Sequence, residues 1–248
     1  MQTKKIVYLA SDCESSRWVF NSLKKEFFFS GIITELPVSK KTLFKNRLKK
    51  IGIIKVTGQV LFSLLMVPIL RFKAKKRKQD LLNQYHLDNS DFPTGTIHVI
   101  SVNDDSCLKA LQELQPDIVL VNGTRIISKN ILTCSKAVFI NMHVGITPYY
   151  RGSHGGYWAL YNKDVANFGT TIHLVDMGVD TGGVISQAFI TPDKKDNFTT
   201  YPILQVAIGI EALKKVLPDI VSGKFEVKKH MEKGRMYYQP TIWQYLLS

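Results

Sequence analysis

Short apolar runs alternate with amphipathic stretches along most of the chain, and this alternation predicts its secondary structure. Apolar, β-prone runs predict strands at residues 4–11, 96–101, 117–122, 137–143, 170–175 and 184–190. Helical spacing predicts helices from after Cys13 to about Phe29, over 104–115, from about Ser128, over 155–161 and over 202–221. Strands that alternate with helices favour an α/β, Rossmann-like fold, a mostly parallel sheet covered by helices. In such sheets functional side chains lie at the carboxyl ends of the strands.

The length and composition favour one soluble-type domain. With 248 residues, 45% hydrophobic and 21% charged, the chain can bury a substantial core, which excludes a disordered protein. We expect residues 1–200 to form the main catalytic part. We expect residues 201–248, a helix and an aromatic tail, to pack on the same domain. Three widely spaced cysteines without a Cys-x-x-Cys pair, and an N-terminal apolar run too short for a secretory signal, indicate the cytoplasm.

Net charge changes the interpretation of one segment. The formal charge is +13, yet residues 40–78 hold 13 of the 33 Lys and Arg residues and no Asp or Glu, so the other 20 basic residues balance the 20 acidic ones. The excess therefore belongs to a basic, partly apolar helical insertion at about 40–80 and does not form a face for specific nucleic-acid binding.

The apolar part of this insertion, residues 56–70, raises the question of a membrane. A helix of that length reaches roughly 22 Å, short of the about 30 Å hydrocarbon core, so we do not expect it to span a bilayer. Two alternatives stay open. The segment lies in a membrane interface as a basic amphipathic element, or it packs on the sheet with its lysines in solvent.

Two motifs carry candidate chemistry. Asn141 and His143 are two residues apart at the end of a predicted buried strand, so both side chains project on the same face. Buried polar side chains need partners, which makes a site plausible there. A second loop, after the strand at 170–175, places two acids, Asp176 and Asp180, among three glycines. Each motif alone also has an ordinary structural explanation, a polar strand end or a glycine turn.

In combination, these motifs resemble those of the folate-dependent formyltransferases, the family that includes glycinamide ribonucleotide and methionyl-tRNA formyltransferases. The resemblance covers about residues 96–187. It departs at 145–147, where Gly-Ile-Thr replaces the usual Ser-Leu-Leu. The matching residues, in order, are Asn141, His143, Pro148, Tyr150, Arg151, Gly152, Val179, Asp180, Thr181, Gly182, Gly183 and Gln187.

The resemblance implies roles for these residues in a transfer from N10-formyltetrahydrofolate to an amine. Asn141 would be a neutral hydrogen-bond donor to the developing oxyanion and His143 a donor that can be protonated, while Asp180 would orient His143 and accept the amine's proton. The donor would bind at Arg125, Ile126, Ile127 and Val179, and the acceptor at Tyr150, Arg151 and Gly152. An ordinary strand-to-helix loop is the alternative for 122–128. No metal is expected, because His143, His154 and His173 are not at compact ligand spacings.

The choice of acceptor follows from departures within that family. The turn at 10–17 is acidic and lacks glycine, which disfavours a ribonucleotide phosphate, and only about 60 residues follow Gln187, too few for the C-terminal domain of a methionyl-tRNA enzyme. We therefore expect a nucleotide-linked amino sugar as acceptor, for surface polysaccharide synthesis. The alternatives are another small or lipid-linked amine at the membrane surface, or a peripheral membrane protein without activity. A homodimer, and contact of 40–78 with the inner face of the membrane, are left open.

Overall fold

A seven-stranded sheet forms the centre of the computed structural model, which describes residues 4–229 and 234–247. Its strands are β1 (Ile6–Ser11), β2 (Gly31–Glu35), β3 (Ile97–Val99), β4 (Ile118–Asn122), β5 (Val138–His143), β7 (Gly169–Leu174) and β8 (Val184–Phe189). The strand order is β3-β2-β1-β4-β5-β7-β8, with the first five parallel and β7 antiparallel to both of its neighbours. A separate parallel pair joins β6 (Tyr150–Gly152) to β9 (Arg235–Tyr237). The predicted Rossmann-like, mostly parallel architecture is confirmed.

Helices cover both faces of the sheet and form the insertion. They are α1 (Glu14–Leu23), α2 (Lys40–Leu61), α3 (Val67–Lys73), α4 (Lys75–Gln84), α5 (Asp105–Leu114), α6 (Lys129–Leu132), α7 (Gly155–Tyr161), α8 (Tyr201–Ser222) and α9 (Ile242–Leu246), with a π-helical turn at Phe62–Met66. Helix α1 ends six residues before the predicted Phe29, whose ring packs in the core 5.9 Å from that of Tyr8. Sequence patterns missed β2, which has only two apolar side chains, and the two-stranded pair of β6 and β9.

Alternation along the central strands divides the core into two layers. Val7 and Leu9 of β1 contact the layer under α5 and α6, whereas Tyr8 and Ala10 contact the layer under α1 and α8. This is the period-2 pattern of a strand buried on both faces. Helix α8 supplies many of the residues of the second layer, so the segment after residue 200 is integral to the core.

The basic insertion packs on the domain through one face only. Val56 is buried, and Phe62 and Leu70 belong to a third cluster, which also contains Tyr157 and Trp158 of α7. The aromatic tail joins this cluster, with the Tyr245 ring centroid 5.1 Å from that of Phe62. The domain boundaries at 200 and 201 remain a prediction.

The insertion helix is longer than its apolar sequence suggested. The helical segment Lys41–Lys73 is long enough to cross a membrane, and its most apolar 18-residue window, with a mean hydropathy of 2.0, is apolar enough by composition. A kink at Gly52, whose φ is +79°, divides it. The part that follows includes Ile53 and Ile54, which lie outside the 56–70 stretch. The argument that the segment is too short to span a bilayer is therefore wrong.

Candidate active site

Strand β5 delivers two of the predicted site residues. Asn141 and His143 leave the same face of its carboxyl end, as the two-residue spacing predicts. The antiparallel neighbour β7 places His173 opposite Asn141 and Thr171 opposite His143. His173, which the sequence interpretation set aside, is thereby brought into the site.

The hydrogen bonds of His173 fix its tautomer and the orientation of Asn141. Nδ1 lies 2.7 Å from the carbonyl of Leu174, which can only accept, so this nitrogen carries the proton. Burial, and then the neighbouring His143, lower the pKa of His173, which keeps the ring neutral and Nε2 an acceptor. The Nδ2 amide of Asn141 donates to that nitrogen at 3.2 Å. Its remaining N–H is available to a ligand in the cleft.

Asp180 lies between the two imidazoles. Its Oδ2 is 3.5 Å from Nδ1 of His143 and its Oδ1 is 3.7 Å from Nε2 of His173, and Oδ2 also accepts a hydrogen bond from the backbone N–H of Gly152 at 2.8 Å. The φ of Asp180 is +51°, a left-handed conformation that non-glycine residues adopt infrequently. Backbone geometry of this kind is often found at functional sites. The three residues predicted to be catalytic are thus brought together.

The second acid of the glycine loop, Asp176, also lines the cleft described below, and its side chain shapes the turn. Oδ1 of Asp176 accepts hydrogen bonds from the N–H of Gly178 at 2.9 Å and from the hydroxyl of Thr181 at 2.6 Å. Gly182 approaches the Leu174 carbonyl so closely that a Cβ there would collide with it. Asp176 and Gly182 therefore define the turn that presents Asp180.

Strand β6 supports the site mainly through its backbone. The carbonyl of Tyr150 accepts a 2.9 Å hydrogen bond from Nε2 of His143, so Nδ1 is the nitrogen left to face Asp180. The Tyr150 hydroxyl donates to Asp164 at 2.8 Å, and burial together with this bond raises its pKa to about 12. Arg151 donates to the carbonyls of Val179 and Gly234. The hydroxyl of Tyr150, the guanidinium of Arg151 and the backbone N–H of Gly152 thus already have partners within the protein. Direct contact of these three residues with the acceptor remains a prediction.

The turn between β5 and β6 is held from behind by β7 and β8. Thr171 donates its hydroxyl hydrogen to the carbonyl of Gly145 at 2.8 Å, and the side-chain amide of Gln187 donates to the carbonyl of Thr147 at 2.8 Å. At Gly145 a Cβ would collide with the Tyr150 carbonyl and lie 2.6 Å from Nε2 of His143. This chain's glycine therefore allows the turn to close tightly over His143.

A cleft of about 330 Å³ opens beside these residues. The residues predicted to bind the donor share its lining with the catalytic ones: Asn141, His143, Asp180, Arg125, Ile126, Ile127 and Val179. The Arg125 guanidinium itself is paired with the buried Glu35 at 2.6 Å, and its backbone N–H donates to the same carboxylate at 2.7 Å. Arg125 thus holds its loop rigid, while the side chain of Ile126 is 54% exposed. Ile127 is buried in the core.

A second cavity, of about 790 Å³, has its own lining residues and shares none with the first. The neighbouring residues Ser153 and His154 line the first and the second cavity, respectively. Its walls come from the start of α1, from α3 and α4 of the insertion, and from α8, and they include the cationic side chains of Arg71, Lys75 and Lys78. Sequence reasoning did not predict this cavity, because only the fold brings the insertion against α1.

The cleft can carry out general acid–base chemistry beside a neutral hydrogen-bond donor. Asn141 offers an N–H, His143 an imidazole nitrogen and Asp180 a carboxylate, all lining one small space. Among the described residues, the His, Cys, Asp and Glu side chains form no group of three that could hold a metal ion.

Comparison with known proteins shows which proteins this chain resembles. Methionyl-tRNA formyltransferase of Thermodesulfovibrio yellowstonii is 30% identical over 142 residues, which are 57% of this chain and 45% of that protein. The chain thus spans about half the length of the curated relatives that it matches.

Two solved structures show the same fold at low identity. Phosphoribosylglycinamide formyltransferase of Anaplasma phagocytophilum gives a TM-score of 0.58 at 15% identity, over 95% of this chain and 98% of its own. The N-formyltransferase of Helicobacter canadensis, in complex with folinic acid and dTDP-3-aminofucose, gives 0.56 at 16% identity, over 94% and 70%.

The family comparison matches residues 68–202, more than half of the chain, to the family described as formyl transferase. This stretch runs from α3 to the start of α8 and includes the strands that line the cleft, β4 to β7. Members of the family are folate-dependent one-carbon transfer enzymes, as the motifs predicted. The chain belongs to the formyl transferase family.

Proposed function

We propose that the protein is an N-formyltransferase that moves a formyl group from N10-formyltetrahydrofolate to the amine of a nucleotide-linked amino sugar. The observation that carries the proposal is the convergence of Asn141, His143 and Asp180 on one cleft, with His173 fixing the amide. This set matches the needs of an acyl-type transfer, in which an oxyanion forms and a proton leaves the attacking amine.

The mixture of apolar and polar residues that line the cleft suits the flat heterocycle of a folate. Ile126, Val175 and Val179 line it together with the polar groups of Asn141 and Asp180. Small-molecule sites typically combine apolar walls with a few placed polar groups, at volumes of about 300–1,000 Å³. When bound, the donor supplies an activated one-carbon unit beside these polar groups.

Each polar residue has one task in the transfer. The free N–H of Asn141 donates to the formyl oxygen as negative charge develops on it. His143 holds Nδ1 toward the reacting atoms, with its ring fixed by the Tyr150 carbonyl. Asp180 accepts the proton that the amine loses when its bond to the formyl carbon forms, and this proton is relayed through His143 to the leaving nitrogen. A donor of the Asn141 kind contributes about 10²–10³ in rate.

The second cavity supports a nucleotide-linked acceptor. Arg71, Lys75 and Lys78 line it, and cationic side chains of this kind pair with the oxygens of a diphosphate. Lys78 is paired with Glu14 of the same cavity at 2.9 Å, so Arg71 and Lys75 are the cations that a diphosphate would meet first. Because Ser153 of the cleft and His154 of the cavity are consecutive residues, we infer that the amine end of such an acceptor extends toward Asp180 while its phosphates stay in the cavity. The Helicobacter canadensis protein, with a dTDP-linked amino sugar bound, is an example of the same fold with this kind of ligand.

The remaining parts of the proposal concern the setting of the reaction. The acceptor is a small molecule, the product serves surface polysaccharide synthesis, and the reaction takes place in the cytoplasm. A homodimer is compatible with this proposal but is not required by it.

The test is a comparison of acceptors at equal N10-formyltetrahydrofolate and physiological salt. The acceptors are nucleotide-linked 3- and 4-amino sugars, glycinamide ribonucleotide and charged initiator tRNA, with formylated product measured by mass spectrometry and Asp180→Asn as the inactive control. We expect an amino sugar to give the highest kcat/KM. A higher kcat/KM for methionyl-tRNA or for the ribonucleotide would refute the sugar acceptor, and no formylation of any amine would refute the transferase.

A further inference from the structure

The insertion exposes an apolar surface that the rest of the domain leaves uncovered. The helix from Ile53 to Phe72 buries Val56, Phe62 and Leu70, yet its opposite side is also apolar. We call this side the outer apolar face; it consists of Ile53, Ile54, Val60, Leu61, Leu64, Leu65, Ile69 and Phe72, which are 38–82% exposed. At about 100° per residue, these positions fall on one side of the helix and form one broad stripe.

This pattern differs from that of a surface helix in water. Such helices carry an apolar stripe toward the core and polar residues on the opposite side. Here only 28% of the most apolar window between Lys41 and Lys73 is buried. Contiguous exposed apolar patches of this kind mark interaction sites. The outer apolar face therefore has the composition of a surface that is buried against a partner in the functional state.

The charged residues around the outer apolar face indicate which kind of partner covers it. Lys49, Lys50 and Lys55 are exposed toward one end of the face and Lys73 and Lys76 toward the other, and residues 40–78 contain no Asp or Glu. A second copy of the chain would bring two such clusters of like charge together, which is unfavourable. A bilayer with anionic lipids offers an apolar interior for the stripe and negative headgroups for the lysines.

Polar contacts hold the helix flat on the domain. Gln59 donates from its side-chain amide to the carbonyl of Gln239 at 2.7 Å, and Gln239 in turn donates to the hydroxyl of Ser63 at 2.6 Å. Farther along, Asn197 donates to the carbonyl of Leu70 at 3.2 Å. Crossing the membrane would break these contacts and expose the face that carries Phe62. The geometry thus favours a helix that lies in the interface over one that spans it.

We propose that the outer apolar face docks the protein peripherally on an anionic lipid bilayer. The helix lies in the membrane plane, with its apolar side chains about 5–10 Å into the headgroup region and its lysines among the headgroups. Arg71 and Lys75 of the second cavity belong to the same insertion, so docking places that cavity at the lipid surface.

Vesicle co-sedimentation of the full chain tests the proposal. The vesicles are phosphatidylcholine alone and phosphatidylcholine with phosphatidylglycerol, each at low and high salt. We expect binding to the anionic vesicles that weakens with salt. The double variant Leu64→Glu/Leu65→Glu should bind at least tenfold more weakly, because it places two charges in the interface. Removing the charges of Lys49, Lys50 and Lys73, each changed to Ser, should weaken binding roughly fivefold per residue.

Phe28→Glu is the matched control, since Phe28 is 84% exposed but lies outside the insertion. It should bind anionic vesicles like the unchanged protein, and circular dichroism should show all variants folded. Failure of the unchanged protein to bind anionic vesicles at low salt would overturn the proposal. A solution dimer that Leu64→Glu/Leu65→Glu converts to a monomer, without lipid binding, would overturn it in favour of a second copy. Neither outcome bears on the formyl transfer, which is assayed separately.

Discussion

Asp180 receives a 2.8 Å hydrogen bond from the backbone N–H of Gly152, a residue 28 positions earlier in the chain. This bond links the glycine loop that follows β7 to strand β6, which also receives the hydrogen bond of His143 through the Tyr150 carbonyl. One short strand therefore orients both the carboxylate and the imidazole of the candidate site. The two sequence motifs form a single structural unit.

Asp180→Asn should lower kcat by at least about 10²-fold with little effect on stability, because the amide keeps the size of the side chain but cannot accept a proton. His143→Ala should lower kcat by at least the same factor. The measurement is steady-state formylation, with thermal unfolding to confirm the fold. Asp219→Asn, an exposed position on α8, is the control and should behave like the unchanged protein. A folded Asp180→Asn variant with near-normal turnover would contradict the assignment.

His173 acts as a positioning residue for Asn141, and the choice of substitution distinguishes this role from simple packing. His173→Leu removes the acceptor of the Asn141 amide, so kcat should fall about tenfold to a hundredfold while KM for the amine changes little. His173→Gln offers a side-chain oxygen in place of Nε2 and should recover much of the activity. An equal loss of kcat in His173→Leu and His173→Gln would show that the shape of the side chain matters and its hydrogen bond to Asn141 does not.

Gly145→Ala tests the tight turn over His143. The added methyl group would collide with the Tyr150 carbonyl and displace the imidazole, so we expect at least a tenfold loss of kcat and a lower free energy of unfolding, by about 1–3 kcal/mol. Gly95→Ala is the control. Gly95 also requires a positive φ of +91° but has open space around it, so its variant should lose stability and keep kcat. Normal kcat in Gly145→Ala would show that the imidazole position is not critical.

Acid should destabilise the protein through His154. Burial, and then the charge of Arg47, lower its pKa to about 4, whereas an unfolded histidine titrates near 6.5. As the pH falls from 6.5 toward 4, the unfolded chain binds a proton that the folded protein excludes, so the free energy of unfolding decreases. His154→Asn, which tolerates the φ of +60°, should flatten this decrease in urea titrations at pH 7 and pH 5. His86→Asn, at an exposed position with a φ of +51°, should leave it unchanged.

The site could be predicted where it depends on local pattern. The spacing of Asn141 and His143 sets their common face, and the glycine loop indicates Asp180. His173 could not be found in this way, because it enters the site through the antiparallel register of β5 and β7, which the sequence does not contain. The same limit applies to Arg125, whose pairing with Glu35 depends on β2, a strand whose sequence Gly-Ile-Ile-Thr-Glu has only two apolar side chains to indicate it.

The fold was predictable wherever strands and helices are regular, as at β4, β5 and α7. The insertion was predicted as helical at about 40–80, but its apolar part was taken as 56–70 only, since Ile53 and Ile54 are separated from the apolar run by Lys55 and the helix continues past Leu70. The burial of one face of the insertion helix depends on its packing against α7 and the aromatic tail. That contact joins segments about 180 residues apart and is invisible to local periodicity.

Strand β9 pairs with β6, so the strand that orients the site is itself backed by residues that begin about 55 positions after Asp180. A nascent chain that has reached Gln187 already contains Asn141, His143, His173 and Asp180. It lacks the partner strand of β6, in which Tyr237 accepts a 3.0 Å hydrogen bond from the backbone N–H of Ser153. This strand pair can form only once residues 235–237 have left the ribosome. During synthesis, the backing of the site therefore follows its reactive groups.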